Sequence, residues 1–316
     1  MTDASAVPTP PSRDRRTSLL IGVGGGILGL LPWVVGGGIL PLQNLWASPT
    51  MPDDMPFVLL PLSQYSATLL FSLVLLGGVF AGVAVRVVAR RRELPVRPTS
   101  LGVAIVHLVA VVQGFAVLAI GHGLGVGGDS RAVLYVAGML GGTIVAAALA
   151  QLGLWMTSRP SVAVAALGVA LAAVPFASWV ARWFIAFTGE VFPPPFLPTL
   201  VNVLPALIVG AALVWCGVRP ARRIIVWIVS LLALWMMPAL FTAIQAGLGM
   251  RVLQGDVVEM ANVSAQVFPM ALAEVWMPPL IALAIAVIGT LVRMLAQRDR
   301  DGRGHVAAQQ GEAGVA

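Results

Sequence analysis

At 316 residues, with 59% hydrophobic and only 10% charged side chains, the chain has too little polar surface for a water-soluble globule, where about a quarter of residues are charged. Its net charge of +6 rests on 19 arginines and no lysine, gathered at the ends of apolar runs rather than along a nucleic-acid-binding face. The single cysteine, Cys216, excludes an intramolecular disulfide.

Residues 1–17 carry Pro8, Pro10 and Pro11 and read as a disordered cytoplasmic N-terminus. Arg15-Arg16 ahead of an apolar run has the look of a twin-arginine export signal. The run over 18–39 exceeds the roughly 7–15 residues of a signal core, so it is expected to be an uncleaved first span. About 20 apolar residues are needed to cross a bilayer. By that measure further spans are predicted near 64–88, 100–121, 132–156, 161–187, 196–218, 223–247 and 274–294. The transmembrane domain then covers 18–294, and the polar stretch 295–316 is expected to be a disordered cytoplasmic tail.

The arginines fall on alternate loops. Arg13, Arg15 and Arg16 precede the first span, and Arg86, Arg90, Arg91, Arg92 and Arg97 cluster around the second loop. Arg159, then Arg219, Arg222 and Arg223, then Arg293, Arg298, Arg300 and Arg303 continue the pattern. Basic residues hold loops in the cytoplasm, so both termini are expected there. Trp155, Trp215 and Trp227 fit the inner interface, and Trp46, Trp179, Trp183 and Trp276 the outer one. Trp33 and Trp235 lie deeper and are expected to pack between helices. Two longer outer loops, 40–63 and 248–273, are rich in Pro, Met and apolar residues and are expected to lie on the membrane or fold back over the bundle.

The fold expected is therefore an all-α, polytopic bundle of about eight spans. A 4+4 parallel internal repeat is suggested by short matches. Ala119-Ile120-Gly121-His122-Gly123-Leu124-Gly125 resembles Ala243-Ile244-Gln245-Ala246-Gly247-Leu248-Gly249, and Pro56-Phe57 with Leu60-Pro61 parallels Pro195-Phe196 with Leu197-Pro198. Gly78-x-x-x-Gly82 and Gly138-x-x-x-Gly142 both have the spacing of close helix contacts. Prolines concentrate in the first and the last four spans, Pro278-Pro279 among them, which marks the second half as the more kinked.

Chemistry is sparse. His107 and His122, 15 residues apart on one helix, stand roughly 22 Å apart and cannot share a metal or a haem. His107 is expected to be hydrogen-bonded inside the bundle. A phosphate-binding reading of Gly121-x-Gly123-x-Gly125 lacks the strand–helix setting it needs. Five residues, His107, Gln113, Gln151, Asn202 and Gln245, form a candidate polar pathway. Arg182, Glu190 and Glu274 form a candidate outer-face cluster, each otherwise free to snorkel to the interface. No catalytic, metal or cofactor residue is assigned.

The chain is expected to be a non-enzymatic accessory or scaffolding subunit of a bacterial cell membrane. Its partners would be the lipid bilayer and another membrane protein or a second copy, with no nucleic acid. The alternative is a permease-like carrier of a neutral or apolar solute, favoured by the kinked second half.

Overall fold

A computed structural model describes residues 12–40, 54–92, 94–124, 130–189, 193–250 and 256–313. Among these residues it is all-α. The helices are α1 (Ser12–Val35), α2 (Ala67–Val88, led by a 3₁₀ turn at Gln64–Ser66), α3 (Val96–Gly121), α4 (Ser130–Ser158) and α5 (Val162–Leu171). They continue with α6 (Ala173–Thr188), α7 (Leu197–Cys216), α8 (Arg223–Gly249), α9 (Val257–Glu274) and α10 (Met277–Ala313). Seven helices are long and apolar enough to cross a membrane, and the bent α5–α6 pair makes up to eight. The protein is a multi-span membrane protein.

The fifth predicted span is broken, with a 48° bend between α5 and α6 at Ala172. Pro175, in the first turn of α6, has no N–H to return to the last turn of α5, so the helix restarts there. The eighth predicted span also begins later than expected. Pro278 and Pro279 occupy the first turn of α10, where the N–H groups would have no partner, rather than a span interior. Glu274 closes α9 instead of opening the last span.

Helices α1 to α4 enclose one core, with Leu30, Trp33, Leu73, Ala110 and Ala150 in it; α5 to α8 and α10 enclose a second around Ala170, Val209, Leu213 and Ala282. In the first, α2 packs most extensively against α4 and α1, while α3 rests chiefly on α1; in the second, α7 packs most extensively against α10, α6 and α5. The closest contacts correspond. Gly78 faces Ala150 and Gly210 faces Ala282; Gly82 faces Thr157 and Val214 faces Gly289. Each position is displaced by the same 132 places along the chain. The Pro-Phe match at 56 and 195 gives a different displacement, because the lead-in to α2 is longer than that to α7.

Residues of the first long loop fold back over this frame. Leu40 N–H donates to Pro56 O (3.0 Å) and Val58 N–H to Gly38 O (2.6 Å), and Leu40, Val58, Leu60 and Leu62 are fully buried. In the second loop, α9 packs along α8, its one extensive neighbour among the described residues. Gly247 lies against Met260 and Ser264, while Trp235 Nε1 donates to Leu272 O (3.0 Å), so the two helices are antiparallel. Trp235 is 14 residues, about 21 Å, short of the end of α8. The tip of α9, with Glu274, therefore reaches the middle of α8.

The arginine-bearing helix ends gather at one end of the bundle. Asp14 pairs with Arg92, and Arg86 donates to the carbonyls of Arg159 and Pro160. Arg86 also lies 5.0 Å from the ring centroid of Trp215, and Arg159 lies 4.5 Å from that of Trp155. Arg223 donates to Cys216 O (2.6 Å) and Arg293 to Val214 O (3.2 Å), tying α7, α8 and α10 together at the same end.

Candidate functional site

The polar residues singled out in the sequence are spread through the bundle. Gln113 accepts from Leu59 N–H (2.9 Å) and donates to Phe57 O (2.9 Å), fastening the folded-back segment to α3. Gln151 accepts from Ser100 Oγ (2.7 Å) and donates to Ser100 O (3.3 Å), which locks α4 to the beginning of α3. Gln245 donates to Tyr65 O and accepts from Thr68 Oγ1 (3.3 Å), joining α8 to the lead-in of α2. Asn202 is exposed on α7. His107 is buried against Gly77, with neither ring nitrogen hydrogen-bonded among the described residues, contrary to the expectation of a bonded histidine. Each glutamine works on its own pair of elements, and the five do not form one continuous path among the described residues.

Two members of the second candidate set lie within the described residues. Arg182 is buried, its guanidinium 5.0 Å from the Trp33 ring centroid. Glu274 is exposed beside α8, and Glu190 lies outside the described residues.

What the helices do build is a lateral groove at the end of the bundle away from the arginines. Its volume is about 770 Å³. The floor is α2 (Gln64, Thr68, Phe71), one wall is α4 (Arg131 to Leu149), and the other is α8 with the first turns of α9. Leu134, Val145, Leu149, Leu240 and Ile244 line it and are partly open to the surroundings of the bundle. On the α8 side it runs from Met237 to Leu248, 11 residues and about 16 Å. On the α4 side it runs from Arg131 to Leu149, 18 residues and about 27 Å, which is most of the roughly 30 Å hydrocarbon thickness.

Two glycines stand in the α4 wall of the groove. Gly138 and Gly142 line it, and a Cβ added at either would meet nothing within 4 Å. Their spacing matched that of Gly78 and Gly82, but only the latter pair makes a close helix contact inside the chain. A Cβ on Gly78 would stand 3.0 Å from Ala150 Cα, and one on Gly82 would stand 2.9 Å from Leu154 Cα. On α4, glycine instead removes side-chain volume from a wall.

Polar groups concentrate at one end of the groove. Gln64 N–H donates to Tyr135 Oη (3.2 Å), and Tyr135 stacks on His122 at 5.1 Å between centroids. His122 lies just beyond α3, with Nδ1 3.0 Å from Leu118 O. Burial pushes its imidazole below the usual histidine range, against the opposing pull of the Leu118 carbonyl. A lowered histidine pKa means the unfolded chain takes up the proton first as pH falls. Stability is therefore complete above about pH 6.5 and declines below it. The thermal midpoint of the detergent-solubilised protein is expected to drop between about pH 7.5 and about pH 5.5, and His122→Asn to lose that component. An unchanged pH slope in the variant would count against this role.

With the fold and groove established, comparison with known proteins adds no assignment: the chain matches no protein-family model, no curated protein and no solved structure.

Proposed function

We propose that this membrane protein accommodates the apolar chain of a lipid-like solute in the groove between α4 and α8–α9, acting as a permease-like carrier rather than as an enzyme. The observation that carries this reading is the combination of Gly138 and Gly142 with a wall of aliphatic side chains. A bundle that only needed to be stable would fill such a space, because unfilled volume forfeits packing contacts. The groove's aliphatic lining is partly exposed on the outside of the bundle, and its length, about 16 Å along α8 and about 27 Å along α4, suits an extended acyl chain. It therefore favours an apolar solute over a small polar one.

The arginine-rich end is assigned to the cytoplasm of a bacterial cell membrane, on the preference of basic loops for that side. The Arg131 end of the groove then lies at the outer face. The shared displacement of the close contacts of α2 and α7 supports a duplicated 4+4 architecture with α9 as an addition to the second half. An accessory-subunit reading keeps one specific support. Helix α9 buries none of its residues within the chain, which suits a contact with a second membrane protein or copy.

The test is chain occupancy. The full chain is reconstituted in phosphatidylcholine vesicles containing a phosphatidylcholine with a diazirine in its acyl chain, and cross-links are mapped by mass spectrometry. Labelling is expected to concentrate on α4 and α8 around Gly142 and Leu240. Gly142→Phe, whose Cβ enters open space and whose ring would occupy the groove, is expected to cut that labelling about tenfold, equivalent to about 1.4 kcal/mol. Labelling spread evenly around the bundle, or unaffected by the substitution, refutes the carrier reading.

A further inference from the structure

The groove has one polar end, and its composition narrows the solute. Arg131 is the one charged side chain among the described residues that line it. It sits in the first turn of α4, where a cation adds to the positive end of the helix dipole instead of offsetting it. Helix stability alone would favour an acidic residue there. An arginine beside the first backbone N–H groups of a helix concentrates positive potential at the point where the groove begins, an arrangement suited to an anion.

A second feature, independent of the helix end, points the same way. Gln64 is 92% buried and lines the groove. Its backbone N–H is taken by Tyr135, but its side-chain carboxamide has no hydrogen-bond partner among the described residues. Its donor and acceptor atoms are therefore open to a polar group entering the groove. The acidic residues at the beginning of α9 are not among the described residues that line the groove. Asp256 caps α9 by accepting from Glu259 N–H (3.0 Å). Val257, Met260, Ala261 and Ser264 are the α9 residues that face the groove, and Glu259 is not among them.

We infer that the groove selects an amphiphile with an anionic head group, its charge held at Arg131 and the beginning of α4, its head hydrogen-bonded to the Gln64 carboxamide, and its chain laid along Gly138 and Gly142. This rests on the apolar-chain reading above and adds the head-group class. Arginine suits a phosphate or carboxylate because its planar fork can donate two parallel hydrogen bonds. Either a phospholipid of the bilayer or a free fatty acid would present this chemistry.

The experiment uses the full chain in neutral-detergent micelles, with binding of fluorescent phosphatidic acid, phosphatidylcholine of the same chains, and oleate measured separately. The wild-type protein is expected to bind phosphatidic acid about tenfold more tightly than phosphatidylcholine, a difference of about 1.4 kcal/mol. Arg131→Gln is expected to erase that preference by weakening phosphatidic acid far more than phosphatidylcholine, and Arg131→Lys to retain most of it. Gly142→Phe is expected to weaken both lipids together. Equal binding of the two lipids by the wild type, or a preference that survives Arg131→Gln, overturns the head-group assignment. If Gly142→Phe alters neither lipid, the apolar-chain reading itself fails. Oleate bound more tightly than phosphatidic acid supports the anionic class and makes a free fatty acid the source.

Discussion

Gly78→Ala is expected to be among the most damaging single-atom additions in this protein. Gly78 lies on α2 directly against the α4 backbone, with the Ala150 carbonyl in the path of any side chain. The obstacle is main chain on both sides, so no rotamer change can relieve it. A methyl group would push α2 and α4 apart along their most extensive contact, where Gly82 similarly abuts Leu154 and Thr157. Within a bilayer no hydrophobic force drives helices together, so their association rests on close van der Waals packing and interhelical hydrogen bonds. The gap would also weaken the approach of Thr157 Oγ1 to Val79 O (3.4 Å). The expected cost is about 3 kcal/mol, at the upper end of overpacking effects. It would be read as a lowered thermal midpoint and loss of a monodisperse peak in detergent. Gly138→Ala is the matched control, because its new methyl enters open groove, and its midpoint should stay within about 0.5 kcal/mol of the parent. Equal behaviour of the two variants would contradict the packing described.

That pair also shows what a sequence can and cannot disclose. Gly78-x-x-x-Gly82 and Gly138-x-x-x-Gly142 are indistinguishable as strings, and both have the spacing of close contact. Whether another backbone comes to meet the glycines depends on helices far away in the chain, which is tertiary information. The spans themselves were legible because length and apolarity are local properties, and α2, α4 and α8 end within a few residues of expectation. The break between α5 and α6 was not, since a proline in an apolar run is compatible with either a kink or a restart. Helix α9 escaped notice because Glu259, Asn262, Ser264 and Gln266 dilute its apolarity below that of a span. The three glutamines stood out as polar residues in apolar helices. Their partners are mostly backbone groups, whose positions no residue pattern announces.

The other large effect is expected at Trp33, where the folded-back segment, α1 and α6 converge. The indole is 5% exposed and its Nε1–H donates to Val58 O (2.8 Å), so it anchors the strand-like segment that Gln113 fastens from the opposite side. The Arg182 guanidinium lies 5.0 Å from its ring centroid, on α6. Trp33→Ala removes a large core side chain and its hydrogen bond, and is expected to destabilise by about 3–5 kcal/mol. It also strips a buried cation of an aromatic face worth about 2 kcal/mol when desolvated. Trp33→Phe keeps a ring under Arg182 but lets Val58 O go, and should lose about 1–3 kcal/mol, less than Trp33→Ala. The ring–cation contribution is isolated by a cycle with Arg182→Met. Once the charge is gone, Trp33→Ala should cost less, leaving a coupling of about 1–2 kcal/mol between the two positions. Thermal midpoints of the four proteins in one detergent measure it. Strict additivity would mean that Arg182 is held by its other contacts on α6 and α1, with the indole acting only as filler between the helices.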